Sequence, residues 1–172
     1  MAMLRSESTE LAIQKFAKLA QAGDGHAAAV MGAVHEYGFA PYPVDLAKAL
    51  HFYERGETQC GAVEASLGIA RIRLGGPMEF RDYGKALSSL TMAAEAIPCP
   101  EAHLGIGEIQ LKGLGVPVDL AKADSAFELA AAQGALLGYE GRARVAWQGG
   151  YYLKSLGLRL EAFRAGMASS DA

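Results

Sequence analysis

Residues 112–134 read KGLGVPVDLAKADSAFELAAAQG, a glycine-rich turn that leads into a helix. Such a turn can cradle a phosphate, because backbone N–H groups and the positive end of a helix dipole converge on an anion. The GxxxxGK[ST] phosphate loop needs a strand before it and Lys–Ser/Thr after its last glycine. Gly115 is followed by Val116 and Pro117, which supply neither. The histidines are His26, His35, His51 and His103; none stands in His-Glu-x-x-His, and only His35 adjoins an acid, Glu36. A metal site is therefore not expected. Gly23-Asp24-Gly25 lacks the alternating acids and terminal Glu of a calcium loop, so Asp24 reads as a helix cap. No Ser or Cys sits in a nucleophile elbow, and the Asp and Glu pairs read as solvated surface. Cys60 and Cys99 are too few for a disulfide framework. Bridging them would need Cα atoms within about 7 Å, which spacing alone leaves open. The expectation is a protein that is not an enzyme and uses no cofactor.

The bulk numbers exclude other classes. The 172 residues are 51% hydrophobic and 20% charged, the composition of a globular chain rather than a disordered one. Net charge is −3 with both signs interspersed, so no basic stripe invites nucleic acid. Apolar residues from Leu11 to Ala22 are interrupted by Gln14, Lys15, Lys18 and Gln21, which fits neither a signal sequence nor a membrane span. A cytoplasmic location is expected, with prior removal of an export signal left open. Abundant alanine, with Val, Ile and Thr sparse, favours helices.

The glycine turn belongs to something periodic. Asp-x-x-Lys-Ala occurs at Asp45-Lys48-Ala49, Asp82-Lys85-Ala86 and Asp119-Lys122-Ala123, each 37 residues after the last. Tyr53, Leu90 and Phe127 keep the same step of 37, as do Gly56, Ala93 and Ala130, and Ala28, Ala65 and Ala102. Ala12 and Phe16 lie 37 before Ala49 and Tyr53, so the N-terminal segment reads as the second half of a unit. The turn is thus punctuation between repeats.

Each unit reads as two helices, A and B. Helix A is expected at about 28–37, 63–74, 101–112 and 136–148, closed by glycine where the chain turns left-handed. An acid then caps helix B, whose Ala and large apolar residues make one stripe. Helix A is more ambiguous, since Val63-Glu-Ala-Ser-Leu-Gly-Ile also alternates as a strand would. The helix is preferred because Glu64, Gly68, Arg71 and Gly75 form a helical polar stripe that Glu101, Gly105, Glu108 and Lys112 repeat. A lone pair of such helices cannot bury its faces, whereas stacked pairs can.

The pattern A-x-x-x-[LI]-[GA]…G-x-G-V-x-x-D-x-x-K-A…A-A-x-x-G resembles the Sel1-like repeat, a relative of the tetratricopeptide repeat. Unit three carries it as Ala102, Ile106, Gly107, Gly113, Gly115, Val116, Asp119, Lys122, Ala123, Ala130, Ala131 and Gly134. Unit two keeps Asp82, Lys85, Ala86, Ala93 and Ala94 but has Gly75-Gly76-Pro77 in its loop; unit one keeps Asp45, Lys48 and Ala49 beside Pro41 and Pro43. The family's aromatic late in helix A is missing, with His35, Arg73, Gln110 and Ala146 near that place. The resemblance implies an all-α fold, a right-handed α-solenoid of antiparallel helix pairs. It covers a single domain over 10–166: a half-repeat 10–22, repeats at about 24–60, 61–97 and 98–134, and a degenerate cap 135–166. Residues 1–9 and 167–172 are expected to be disordered tails.

On a tetratricopeptide-like frame, the resemblance turns one row of helix A side chains toward a concave surface: Tyr37; Glu64, Leu67, Arg71 and Leu74; Glu101, Leu104, Glu108, Leu111 and Lys112; and Glu140, Arg144, Trp147 and Gln148. An apolar track with charged edges suits a peptide or helix of a protein partner. The competing reading packs Leu67, Leu104 and Trp147 between helices. The function implied is a non-catalytic bacterial adaptor or assembly factor. The alternative is a dedicated inhibitor or immunity-type protein that wraps one enzyme or toxin. The end faces, including Tyr151 and Tyr152, are candidates for a homodimer contact.

Overall fold

The computed structural model describes the backbone of residues 2–170 and the side chains of 8–167. Met1, Asp171 and Ala172, which fall in the expected tails, lie outside the described residues. The described residues form nine α-helices: α1 (Ala2–Gln21), α2 (Gly25–Tyr37), α3 (Leu46–Cys60), α4 (Val63–Gly75), α5 (Tyr83–Ala96), α6 (Pro100–Lys112), α7 (Leu120–Ala132), α8 (Leu136–Gln148) and α9 (Tyr152–Ser170). A one-turn 3-10 helix, Met78–Phe80, precedes α5. No strands form among them; Phe39 and Tyr42 make one isolated bridge. The helices group into two compact units, one ending at Arg81 and the other starting at Asp82.

The acids start the helices as their chemistry dictates. Asp24 Oδ1 accepts from the Ala27 N–H at 2.8 Å, and Asp45 Oδ1 from Lys48 N–H at 2.9 Å. Asp82 and Asp119 do the same for Lys85 and Lys122, both at 3.0 Å. Each carboxylate satisfies a donor that the first turn leaves unpaired. Glycine ends α2 and α6 in the left-handed region, Gly38 at φ 73° and Gly113 at φ 67°. The expectation fails after α4, where Gly76 is extended at φ −70°, ψ 178°. After α8 the left-handed residue is Gly150, one place later than the cap.

In the first unit α3 packs behind α2 and α4, which lie side by side. Its centre is Tyr53, 2% exposed, with Ala49, Leu50, Ala65, Ile69 and Ile72 around it. The ring is wedged between Gly32 of α2 and Gly68 of α4; a Cβ on either would come within 2.5 Å of it. Gly68 was part of the polar stripe that argued for a helix, yet it is buried, because only a bare backbone leaves room for the ring. α1 closes the unit through Ile13 and Ala20 against Ala27, Ala28 and Met31. It begins at Ala2, inside the stretch expected to be a tail, and no Gly or Pro interrupts residues 2–21.

The second unit repeats the scheme with α7 behind α6 and α8. Phe127 is fully buried with Leu111, Ala123 and Val145. A Cβ on Gly107 or Gly141 would sit 2.6 or 2.3 Å from its ring. The late helix A positions hold no aromatic but still face inward. His35 is buried and stacks on Phe52 at 5.5 Å, Gln110 and Ala146 are buried, and Arg73 donates to Glu54 at 3.1 Å and to the Phe80 carbonyl at 3.2 Å. The His35 and Gln110 carbonyls accept from Asp45 and Asp119 N–H groups at 2.8 and 3.0 Å, tying each loop to its helix A.

Candidate functional site

The open faces of neighbouring A helices form one cleft in each unit. In the first, α2 and α4 enclose about 530 Å³ lined by His26, Ala29, Val30, Ala33, Tyr37, Tyr53, Glu64, Leu67 and Arg71. Its wall is a closed network. Arg71 Nε and Nη2 both donate to Glu36, at 2.6 Å each, and Tyr53 Oη donates to the same carboxylate at 2.7 Å. The guanidinium also lies 5.6 Å from the Tyr37 ring centroid. Burial by itself raises the Glu36 pKa and is the largest effect. The hydrogen bonds from Arg71 and Tyr53, with the charge of Arg71, outweigh it and hold the carboxyl below its usual range. Arg71 is pushed up by its hydrogen bond to Glu36, and Tyr53 is pushed up by burial. A carboxylate so committed is an anchor for an arginine and not a free base.

In the second unit α6, α8 and α9 enclose about 630 Å³ lined by Leu111, Lys112, Arg144, Trp147, Gln148 and Arg159. Here Glu108 plays the part of Glu36. Arg144 donates to its Oε1, and Lys112 Nζ lies 2.8 Å from its Oε2. Burial again raises the Glu108 pKa, and the two cations more than offset it. Trp147 is 58% exposed and meets Tyr152 edge-on at 4.7 Å. Arg144 and Arg159 also share an adjoining hollow with Glu140. On the other side of α8, Arg142 binds Asp124 at 3.0 Å and Glu128 at 2.9 Å. Asp124 is also 3.4 Å from Lys154, so these pairs pin α7, α8 and α9 together.

The structure sorts the sequence candidates. Tyr37, Glu64, Leu67 and Arg71 come together in the first cleft. Leu111, Lys112, Arg144, Trp147 and Gln148 come together in the second. Glu140 lies beside it, and Glu101 is exposed outside both clefts. Leu74 is half-buried and lines neither. Leu111 is only 5% exposed and belongs to the core, with Leu104 packed against the same cluster, so these two lean toward the interior as well as the row. Arg159, His26, Val30 and Ala33 line the clefts without having been singled out. Arg159 escaped because the degenerate last helix has no repeat register to place it. Among the described residues no His, Cys, Asp or Glu group is arranged to hold a metal. Cys60 is exposed, Cys99 is buried, and both are free thiols.

No family model and no curated protein matches the sequence. Solved structures do. A Sel1 repeat protein from Oxalobacter formigenes aligns over 88% of this chain with a TM-score of 0.74 and 24% identity. A protective antigen present in uropathogenic Escherichia coli strains, displaying an SLR fold, aligns over 90% with a TM-score of 0.75 and 25% identity. This chain spans 44% and 33% of the lengths of those two proteins. With the 37-residue repeat in the sequence and stacked helix pairs in the structure, the chain has the all-α solenoid fold of these Sel1 repeat structures.

Proposed function

We propose that the chain is a non-catalytic adaptor or assembly factor that holds a segment of a partner protein against the open faces of its A helices. Repeat proteins of this fold usually mediate protein–protein interaction. The observation that carries the reading is the build of the two clefts. Each has an apolar and aromatic lining, Leu67 with Tyr37 or Leu111 with Trp147, beside an arginine fixed by a half-buried carboxylate. Arginines held before binding lose less side-chain entropy on association, and Trp, Tyr and Arg are the residues that dominate interface energies. The volumes fit the range of roughly 300–1,000 Å³ typical of clefts that enclose small groups, so each suits a few side chains of an extended segment.

Capture from a cell lysate, compared with Tyr37→Ala and Trp147→Ala, tests the reading. Loss of a partner by both folded variants supports it, and equal capture refutes it. Stoichiometry separates the adaptor from the inhibitor: several short segments bound weakly mark an adaptor, one enzyme bound tightly at 1:1 an inhibitor. A second reading, self-association through an end face, draws on α9, where Leu153 and Phe163 stand 87% and 67% exposed. A sedimentation mass that rises with concentration would favour it. A cytoplasmic location belongs to the same proposal and is checked by cell fractionation.

A further inference from the structure

We propose that the second unit's cleft selects an acidic partner segment, a carboxylate side chain next to a bulky apolar one. This rests on the peptide-binding reading above and names the chemistry of its occupant. Lys112, Arg144 and Arg159 line the cleft, and the carboxylates facing them are Glu108 in its wall and Glu140 in the adjoining hollow. Three cations against two carboxylates leave one positive charge in excess, in a chain whose net charge is −3. Glu108 is taken up by Arg144 and Lys112. Arg159 has no hydrogen-bond or ion-pair partner among the described residues, so its guanidinium fork is open. A planar fork with two parallel N–H groups fits a carboxylate in a bidentate pair.

The first cleft gives the contrast. Its arginine is matched by Glu36, and Glu64 stands exposed on its rim, so its excess is negative. The two clefts therefore differ in the charge they tolerate, although they share the same fold. The apolar half of the specificity comes from Trp147, whose ring stands against Tyr152 with more than half its surface open. A polyphosphate is the poorer occupant: it carries many charges to a site with one to spare, and it would meet Glu108 and Glu140.

Trp147 is the only tryptophan of the chain, so its fluorescence reports on this cleft alone. The probes are blocked pentapeptides Gly-Phe-Asp-Phe-Gly and their Asn and Lys counterparts. The Asp peptide should shift the emission saturably, bind at least tenfold more tightly than the Asn peptide, and weaken with added salt. Arg159→Ala should lose about tenfold for the Asp peptide alone, with a melting temperature nearly unchanged because Arg159 is exposed and makes no hydrogen bond or ion pair within the described residues. Equal binding of all three peptides, or an Arg159→Ala variant that binds as wild type, overturns the charge selection while leaving peptide binding intact. If no peptide moves Trp147 while a captured partner still depends on Tyr37, the inference falls alone. If neither cleft captures anything, both readings fall. Tighter binding of oligothymidylate or of phosphatidylserine vesicles would also overturn it.

Discussion

Tyr53 and Phe127 occupy the same place in two units, and each is enclosed by glycines from both neighbouring A helices. Gly141→Ala should cost about 1–3 kcal/mol by overpacking, since its Cβ would lie 2.3 Å from the Phe127 ring. Gly157→Ala, in α9 with nothing within 4 Å, should instead stabilise by about 0.5–1 kcal/mol. Thermal melts followed by circular dichroism distinguish the two. Acid gives a second residue-scale prediction. Glu36 and Glu108 have folded pKa values depressed below the usual 4.5, so their stabilisation is complete above that value and is lost as pH falls through the folded ones. Glu36→Gln should flatten the decline of stability below pH 4.5, as read from urea midpoints against pH. The thiols offer a third. Cys60 is open, whereas Cys99 is buried and burial pushes its pKa up, so a thiol reagent should modify one cysteine fast and the other only on unfolding. The 37-residue step showed that Tyr53 and Phe127 were equivalent. It did not show which glycines face them, because Gly32 and Gly68 precede and follow the ring in sequence without sharing one register position.

At the scale of elements, the helix A positions expected from sequence fall on α2, α4, α6 and α8 with starts shifted by three residues at most. This was legible because the signals are local: an acid that caps, a glycine that ends, an alanine that packs. The capping acids predict a cost. Asp82→Ala should destabilise by about 1 kcal/mol, measured by denaturant unfolding, because the Lys85 N–H loses its acceptor. What was not legible depends on how A helices lie together. Glu36, named only as the neighbour of His35, and Glu108, placed in the row, each pair with an arginine on the neighbouring A helix. The separations, Glu36 to Arg71 and Glu108 to Arg144, match no multiple of the repeat. Leu104 and Leu111 show the same limit: they carry the row's spacing, but Phe127 and Val145 draw them toward the core. Leu104→Glu should therefore lower the melting temperature as well as any binding, which makes Trp147 the better probe of the row.

For the whole molecule, the repeat spacing was enough to set the fold class, and composition to disfavour nucleic acid as a partner. No described helix is long and apolar enough to cross a membrane. The polarity of the clefts could not be read in advance, since it depends on Arg159, contributed by a helix that departs from the repeat. The central claim is that the open faces of the A helices bind a partner polypeptide. Its most direct test places a photo-crosslinking residue at Tyr37, at Trp147 or at Lys85, an exposed position on α5 that lines neither cleft, and identifies the products. The account predicts that one partner polypeptide is captured from Tyr37 and Trp147 and not from Lys85. Capture from Lys85 alone, or no polypeptide from either cleft, would contradict it.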